Sequence, residues 1–97
     1  MACVTKLRIL IVDDHPFVRE GLKRLFHEQP DMLVVGEAGD GREALRLAKE
    51  RLPDVAVVDI WMPGLDGARV TQMITDACPQ VKAVSYTHLT LPTIYSV

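Results

Sequence analysis

The chain has 97 residues, 48% of them apolar, with 11 basic and 13 acidic side chains and a net charge of −2. That length allows one small domain, and near-balanced charge leaves this segment without the basic face that grips nucleic acid. The first apolar run is too short for a signal core or a membrane span. Cys3 and Cys78 lack any metal or redox spacing, so a reducing cytoplasm is the expected setting.

Leu7 to Val12 is a short β-branched run and predicts a buried strand, ended by Asp13-Asp14. Asp14-His15-Pro16 offers helix-start chemistry, with Pro16 suited to the first helical position. Phe17, Val18, Leu22, Leu25 and Phe26 then recur at helical spacing until Pro30 closes the segment. Met32 to Ala38 predicts a second strand. Asp40 with Glu43 three residues on is a capping-box pattern, opening a helix through Ala44, Leu45, Leu47, Ala48 and Leu52 that ends before Pro53. Val55 to Val58 is the third predicted strand, followed by Asp59. A loop from Met62 to Gly67 leads to a helix through Val70, Met73, Ile74 and Ala77, stopped by Pro79, and Val81 to Val84 predicts a fourth strand.

This βαβαβαβ order implies a parallel sheet with helices on both faces, because parallel neighbours need a crossover connection. Ligands in such folds gather beyond the carboxyl ends of the strands. Asp13, Asp14 and Asp59 all fall there. Carboxylates about 4–6 Å apart disfavour one another's charge unless a cation joins them, so the trio predicts a divalent-metal site. A carboxylate that accepts a phosphoryl group needs in-line access, charge neutralisation and positioning, and Mg²⁺ supplies much of the second. On this reading Asp14, with Asp13 through water, holds the metal, Asp59 is the nucleophile, and the backbone carbonyl of Trp61 completes the coordination. Met62-Pro63-Gly64 sets how the loop leaves the site, and Gly67 lets the next helix begin tightly.

Ile9-Leu10-Ile11-Val12-Asp13-Asp14-His15-Pro16, Gly36-Glu37-Ala38, and the run from Pro53 through Asp59-Ile60-Trp61-Met62-Pro63-Gly64 to Gly67 resemble a CheY-like receiver domain of two-component response regulators. Asp-Asp-His-Pro, Val-Arg-Glu-Gly-Leu and Gly-Glu-Ala-Gly-Asp-Gly look most similar to the NarL/FixJ group. The resemblance covers residues 7–84. It implies a flavodoxin-like, doubly wound parallel sheet of order 2-1-3-4-5, with phosphoryl transfer from a phosphohistidine of a sensor histidine kinase to Asp59 and a requirement for Mg²⁺. It also implies a non-enzyme phosphoacceptor that can homodimerise, does not enter membranes, and meets DNA only through a C-terminal helix-turn-helix domain absent from this sequence.

The chain departs from that pattern after the fourth strand. Receivers carry a Ser or Thr there and a Lys after strand five; Ser85 and Thr87 lie near the first position, and no Lys follows Lys82. The fourth helix, fifth strand and fifth helix have no counterpart. Residues 85–97 look more like read-through of library or adapter sequence, so the expectation is a receiver broken at about residue 84, with an exposed fourth-strand edge and an apolar patch.

Two other functions stay open. An Mg²⁺-dependent phosphohydrolase could use Asp59 as an aspartyl-phosphate nucleophile, although Trp61 stands where such enzymes often carry a second Asp. A receiver-like scaffold could bind partners without phosphorylation. Asp40, Asp54 and Asp66 read as caps or turn residues, His15 as a solvated helix-start residue with a place near the site as the alternative, His27 as surface, and the three histidines have no ligand spacing.

Overall fold

The strands and helices follow the apolar runs closely. A computed structural model describes residues 6–60 and 67–86. It contains β1 (Leu7–Val12), α1 (Pro16–His27), β2 (Met32–Ala38), α2 (Gly41–Arg51), β3 (Val55–Asp59), α3 (Gly67–Ala77) and β4 (Lys82–Tyr86). The four strands form one parallel sheet in the order β2-β1-β3-β4, as far as the implied order can be followed. β4 runs two residues past the expected end at Val84. Ser85 and Tyr86 pair with Val58 and Asp59, and the Ile60 N–H donates to the Tyr86 carbonyl at 2.7 Å. No described helix is long and apolar enough to cross a membrane.

Helix ends obey local chemistry. Pro16 occupies the first turn of α1, whose N-cap is His15 without a side-chain cap; Asp14 is therefore not consumed in capping. Asp40 caps α2 by accepting the Glu43 N–H at 2.8 Å, while the Glu43 carboxylate turns to Arg46 rather than back to the cap. α2 stops at Leu52, which sits at φ 46°, a conformation that L-residues with side chains seldom adopt. Arg8 Nη1 donates to the Leu52 carbonyl at 2.9 Å and holds it there.

The side chains of each strand alternate between the two faces. Leu10, Val12, Ala56 and Val58 face α2 and α3, where Leu47, Val70 and Ile74 complete a buried cluster. Ile9 and Ile11 face α1 and pack with Leu22, flanked by partly buried Val18, Phe26, Val34, Val57 and Tyr86. The pairing of β1 with β2 shifts between Ile9 and Leu10: Ile9 faces Val34 and Leu10 faces Gly36, so Val35 is the extra residue of a bulge. Arg51 Nη1 donates to the Val35 carbonyl at 2.7 Å. Cys78 is a buried free thiol.

Candidate functional site

The register of β1 against β3 builds the site. Val12 pairs with Val58, so the next residue of each strand, Asp13 and Asp59, emerges at the same sheet edge. Both are fully buried. Asp14 and His15 follow in the turn into α1. One ligand atom from each of Asp13, Asp14, His15 and Asp59 lies within 4.8 Å of the others. The structure thus brings together the three predicted carboxylates. Trp61, the fourth predicted ligand, lies outside the described residues.

Partners hold these groups in place. The His15 N–H donates to Asp13 Oδ1 at 2.8 Å, and His15 Nδ1 is 3.1 Å from the same oxygen. The Tyr86 hydroxyl donates to the other oxygen, Asp13 Oδ2. Asp14 Oδ1 is buried and accepts no hydrogen bond of proper geometry, although His15 Nδ1 approaches it at 2.9 Å. The imidazole pKa is raised, first by the hydrogen bond to Asp13, against some desolvation, and further by the charges of Asp14, Asp13 and Asp59. His15 was expected to be solvated helix-start material. It is half exposed and does start the helix, but it also leans over the acidic cluster.

Two unit charges at these separations repel by about 3 kcal/mol at an effective dielectric near 20. A shared cation removes that penalty. The donor set is dominated by hard carboxylate oxygens, one of them buried without a hydrogen bond, which fits a small divalent metal such as Mg²⁺. The next helix is brought in close behind the cluster. A Cβ on Gly67 would lie 2.2 Å from the Asp59 carbonyl oxygen and 2.4 Å from Ile60 Cα, so only glycine lets α3 start there. Ser85, one candidate for the hydroxyl after strand four, is exposed, with Oγ 3.1 Å from Thr71 Oγ1 on α3. Thr87 lies outside the described residues.

Sequence reasoning missed Arg19, Glu37 and Tyr86. Arg19 Nη1 donates to the Asp13 carbonyl at 2.5 Å and Arg19 Nε to Glu37 Oε1 at 3.1 Å. The available signal was Glu37 itself, a charge inside an otherwise apolar strand.

Comparison with known proteins agrees with this geometry. Residues 9–94 match the family described as the response regulator receiver domain. The transcriptional regulatory protein LiaR of Bacillus subtilis is 48% identical over 68 residues, 70% of this chain and 32% of that protein. YxjL, also a transcriptional regulatory protein of Bacillus subtilis, is 43% identical over 82 residues, 84% of this chain and 38% of its own length. This chain thus spans about a third of the length of these relatives. The solved signal receiver domain of NarL from Mycobacterium tuberculosis superposes with a TM-score of 0.80 at 40% identity, over 93% of this chain and 73% of that one. With its parallel sheet, its acidic cluster at the carboxyl edge and these relatives, the chain belongs to the response regulator receiver domain family, on the side of the NarL- and LiaR-type regulators.

Proposed function

We propose that Asp59 is the phosphoacceptor and takes a phosphoryl group from a phosphohistidine of a sensor histidine kinase. An Asp59 carboxylate oxygen forms the new bond to phosphorus as the phosphorus–nitrogen bond breaks, and the electron pair stays with the imidazole. Mg²⁺, when bound, supplies charge neutralisation for the phosphoryl oxygens. Asp13, Asp14 and Asp59 are the side chains that would hold it, with the Trp61 carbonyl completing the set. The observation that carries this reading is the meeting of three carboxylates at one sheet edge, two of them fully buried.

α1, which follows the acidic turn, offers a protein donor an exposed aromatic side chain. Phe17, in the first turn of α1, is 82% exposed, and with Glu20, Gly21 and Arg24 it lines a shallow groove. The new charge of about −1.5 to −2 would be read by a DNA-binding domain in a regulator of the relatives' length, acting in the cytoplasm, alone or as a homodimer.

Incubation with acetyl phosphate and Mg²⁺, followed by intact-mass spectrometry, tests the assignment. One phosphoryl group is expected on the wild-type chain, and none on Asp59→Asn or after chelation of the metal. Uptake that survives Asp59→Asn would overturn the assignment, and sustained turnover of nitrophenyl phosphate would point to a phosphohydrolase.

A further inference from the structure

We infer that Arg19 is a positioning residue for the metal-holding turn, acting with Glu37 and Lys23 through the peptide that joins Asp13 to Asp14. The inference rests on the proposed function of the acidic site and names residues that act through it.

Arg19 lies one turn into α1 and its side chain is 20% exposed. One guanidinium makes two bonds in different directions: Nη1 to the Asp13 carbonyl at 2.5 Å and Nε to Glu37 Oε1 at 3.1 Å. The second Glu37 oxygen is taken by Lys23 Nζ at 2.7 Å, so the carboxylate is fixed from both sides before it fixes the arginine. On the other side of the same residue, the Asp13 N–H donates to the Ala38 carbonyl at 3.0 Å. Asp13 is therefore gripped at its N–H by β2 and at its carbonyl by α1. That carbonyl belongs to the peptide plane leading into Asp14. Its orientation sets how the carboxylates of Asp13 and Asp14 stand relative to each other, which a small octahedral cation reads closely.

Space for the guanidinium is built in. A Cβ on Gly39 would come 3.3 Å from Arg19 Nη1, tighter than ordinary contact. The relay thus joins Arg19 and Lys23 of α1 to Glu37 of β2, and it reaches the site through the Asp13 main-chain carbonyl, not through a carboxylate of the cluster. Lysine could keep the charge at position 19 but not the fork, because an ammonium on a flexible stem cannot bridge both acceptors in fixed directions. Partners of this kind, one step behind metal ligands, typically change affinity by about 10–100-fold when lost.

The test is Mg²⁺ titration of the full chain by calorimetry, with the urea midpoint measured alongside. Arg19→Lys is expected to raise the Mg²⁺ dissociation constant roughly tenfold. In phosphorylation by acetyl phosphate, the Mg²⁺ concentration for half-maximal uptake should rise by more than the rate at saturating Mg²⁺ falls. Glu37→Gln should weaken Mg²⁺ in the same direction, and adding it to Arg19→Lys should cost little more. If both variants bind Mg²⁺ as the wild type does, the inference is overturned while the site assignment stands. If the wild type itself neither binds Mg²⁺ nor takes phosphate, the site assignment falls first. Should Arg19→Lys fail to fold, Glu37→Gln decides by the same two readings.

Discussion

The two faces of the sheet are covered unequally. On the α2 and α3 side, Leu10, Val12, Ala56 and Val58 have no exposure at all. On the α1 side, Ile9 and Ile11 are buried, yet Val55 and Val57 of β3 are only half-buried and Val84 of β4 is 46% exposed. Among the described residues a single helix, α1, packs on this side, and it lies over β1 and β2. Apolar exposure on this side falls on Val55 and Val57 of β3 and Val84 of β4. By strand parity Asp59 continues the row of Val55 and Val57, and Asp13 continues the row of Ile9 and Ile11. The carboxylates thus stand on the thinly covered side, while the thick side anchors the strands that carry them.

Core truncation should separate the faces most strongly. Ile74→Ala on α3 is expected to cost about 3–4 kcal/mol, and Val57→Ala on the thin side about 1–2 kcal/mol, both read from urea unfolding. Equal losses would break the comparison.

Next in size is relief of charge at the site. Without divalent cations, Asp59→Asn should raise the stability of the chain by about 1–2 kcal/mol by removing one of three crowded charges. Mg²⁺ should then stabilise the wild type and not the variant, as parallel melts would record. A variant less stable than the wild type in chelator would contradict the repulsion argument.

Asp40→Ala removes the cap of α2 and should lower the urea midpoint by the equivalent of about 1 kcal/mol. The same change in Asp54, which accepts the Arg8 N–H at 2.8 Å across the sheet, reports on strand pairing instead.

The smallest effect is a pH dependence. Glu37 titrates below the ordinary glutamate value of 4.5, chiefly through the Lys23 hydrogen bond, against partial desolvation and with the Arg19 bond adding. A lowered carboxylate pKa stabilises the fold above that ordinary value and loses its contribution as pH falls through the lowered one. Screening by solvent leaves about 0.5 kcal/mol. The difference in urea midpoint between wild type and Glu37→Gln should shrink on acidification across that window; a difference that grows would reverse the sign.

Most of the fold was legible because acids and prolines punctuate apolar runs. Asp13 and Asp59 stand out as charges where two buried strands stop, Pro16 marks a first helical turn, and Asp40 with Glu43 marks another. The end of β4 was not legible, since Ser85 and Tyr86 lack an alternating pattern and are ordered by pairing with Val58 and Asp59. Leu52 at positive φ carries no glycine or asparagine signal; it is held by Arg8, 44 residues away. His15 looked like surface because its neighbours over the carboxylates come from β3 as well as β1. Arg19 and Glu37 are 18 residues apart and meet only once β2 lies beside β1.

The bulge at Val35 works as a frameshift in space. Met32 and Val34 face α1, and strict alternation would send Gly36 and Ala38 after them, leaving Glu37 among Leu10 and Leu47. The extra residue exchanges those assignments: Gly36 turns to Leu10 and Leu47, Ala38 enters the same buried cluster, and Glu37 reaches Arg19 and Lys23. What matters at position 35 is thus that the residue drops out of the ladder; deleting it would straighten β2 and leave Val34 opposite Ile9 and Gly36 opposite Leu10. Kept in step as an ordinary strand residue, Val35 would send the Glu37 carboxylate into the aliphatic core and leave two cations without their shared anion.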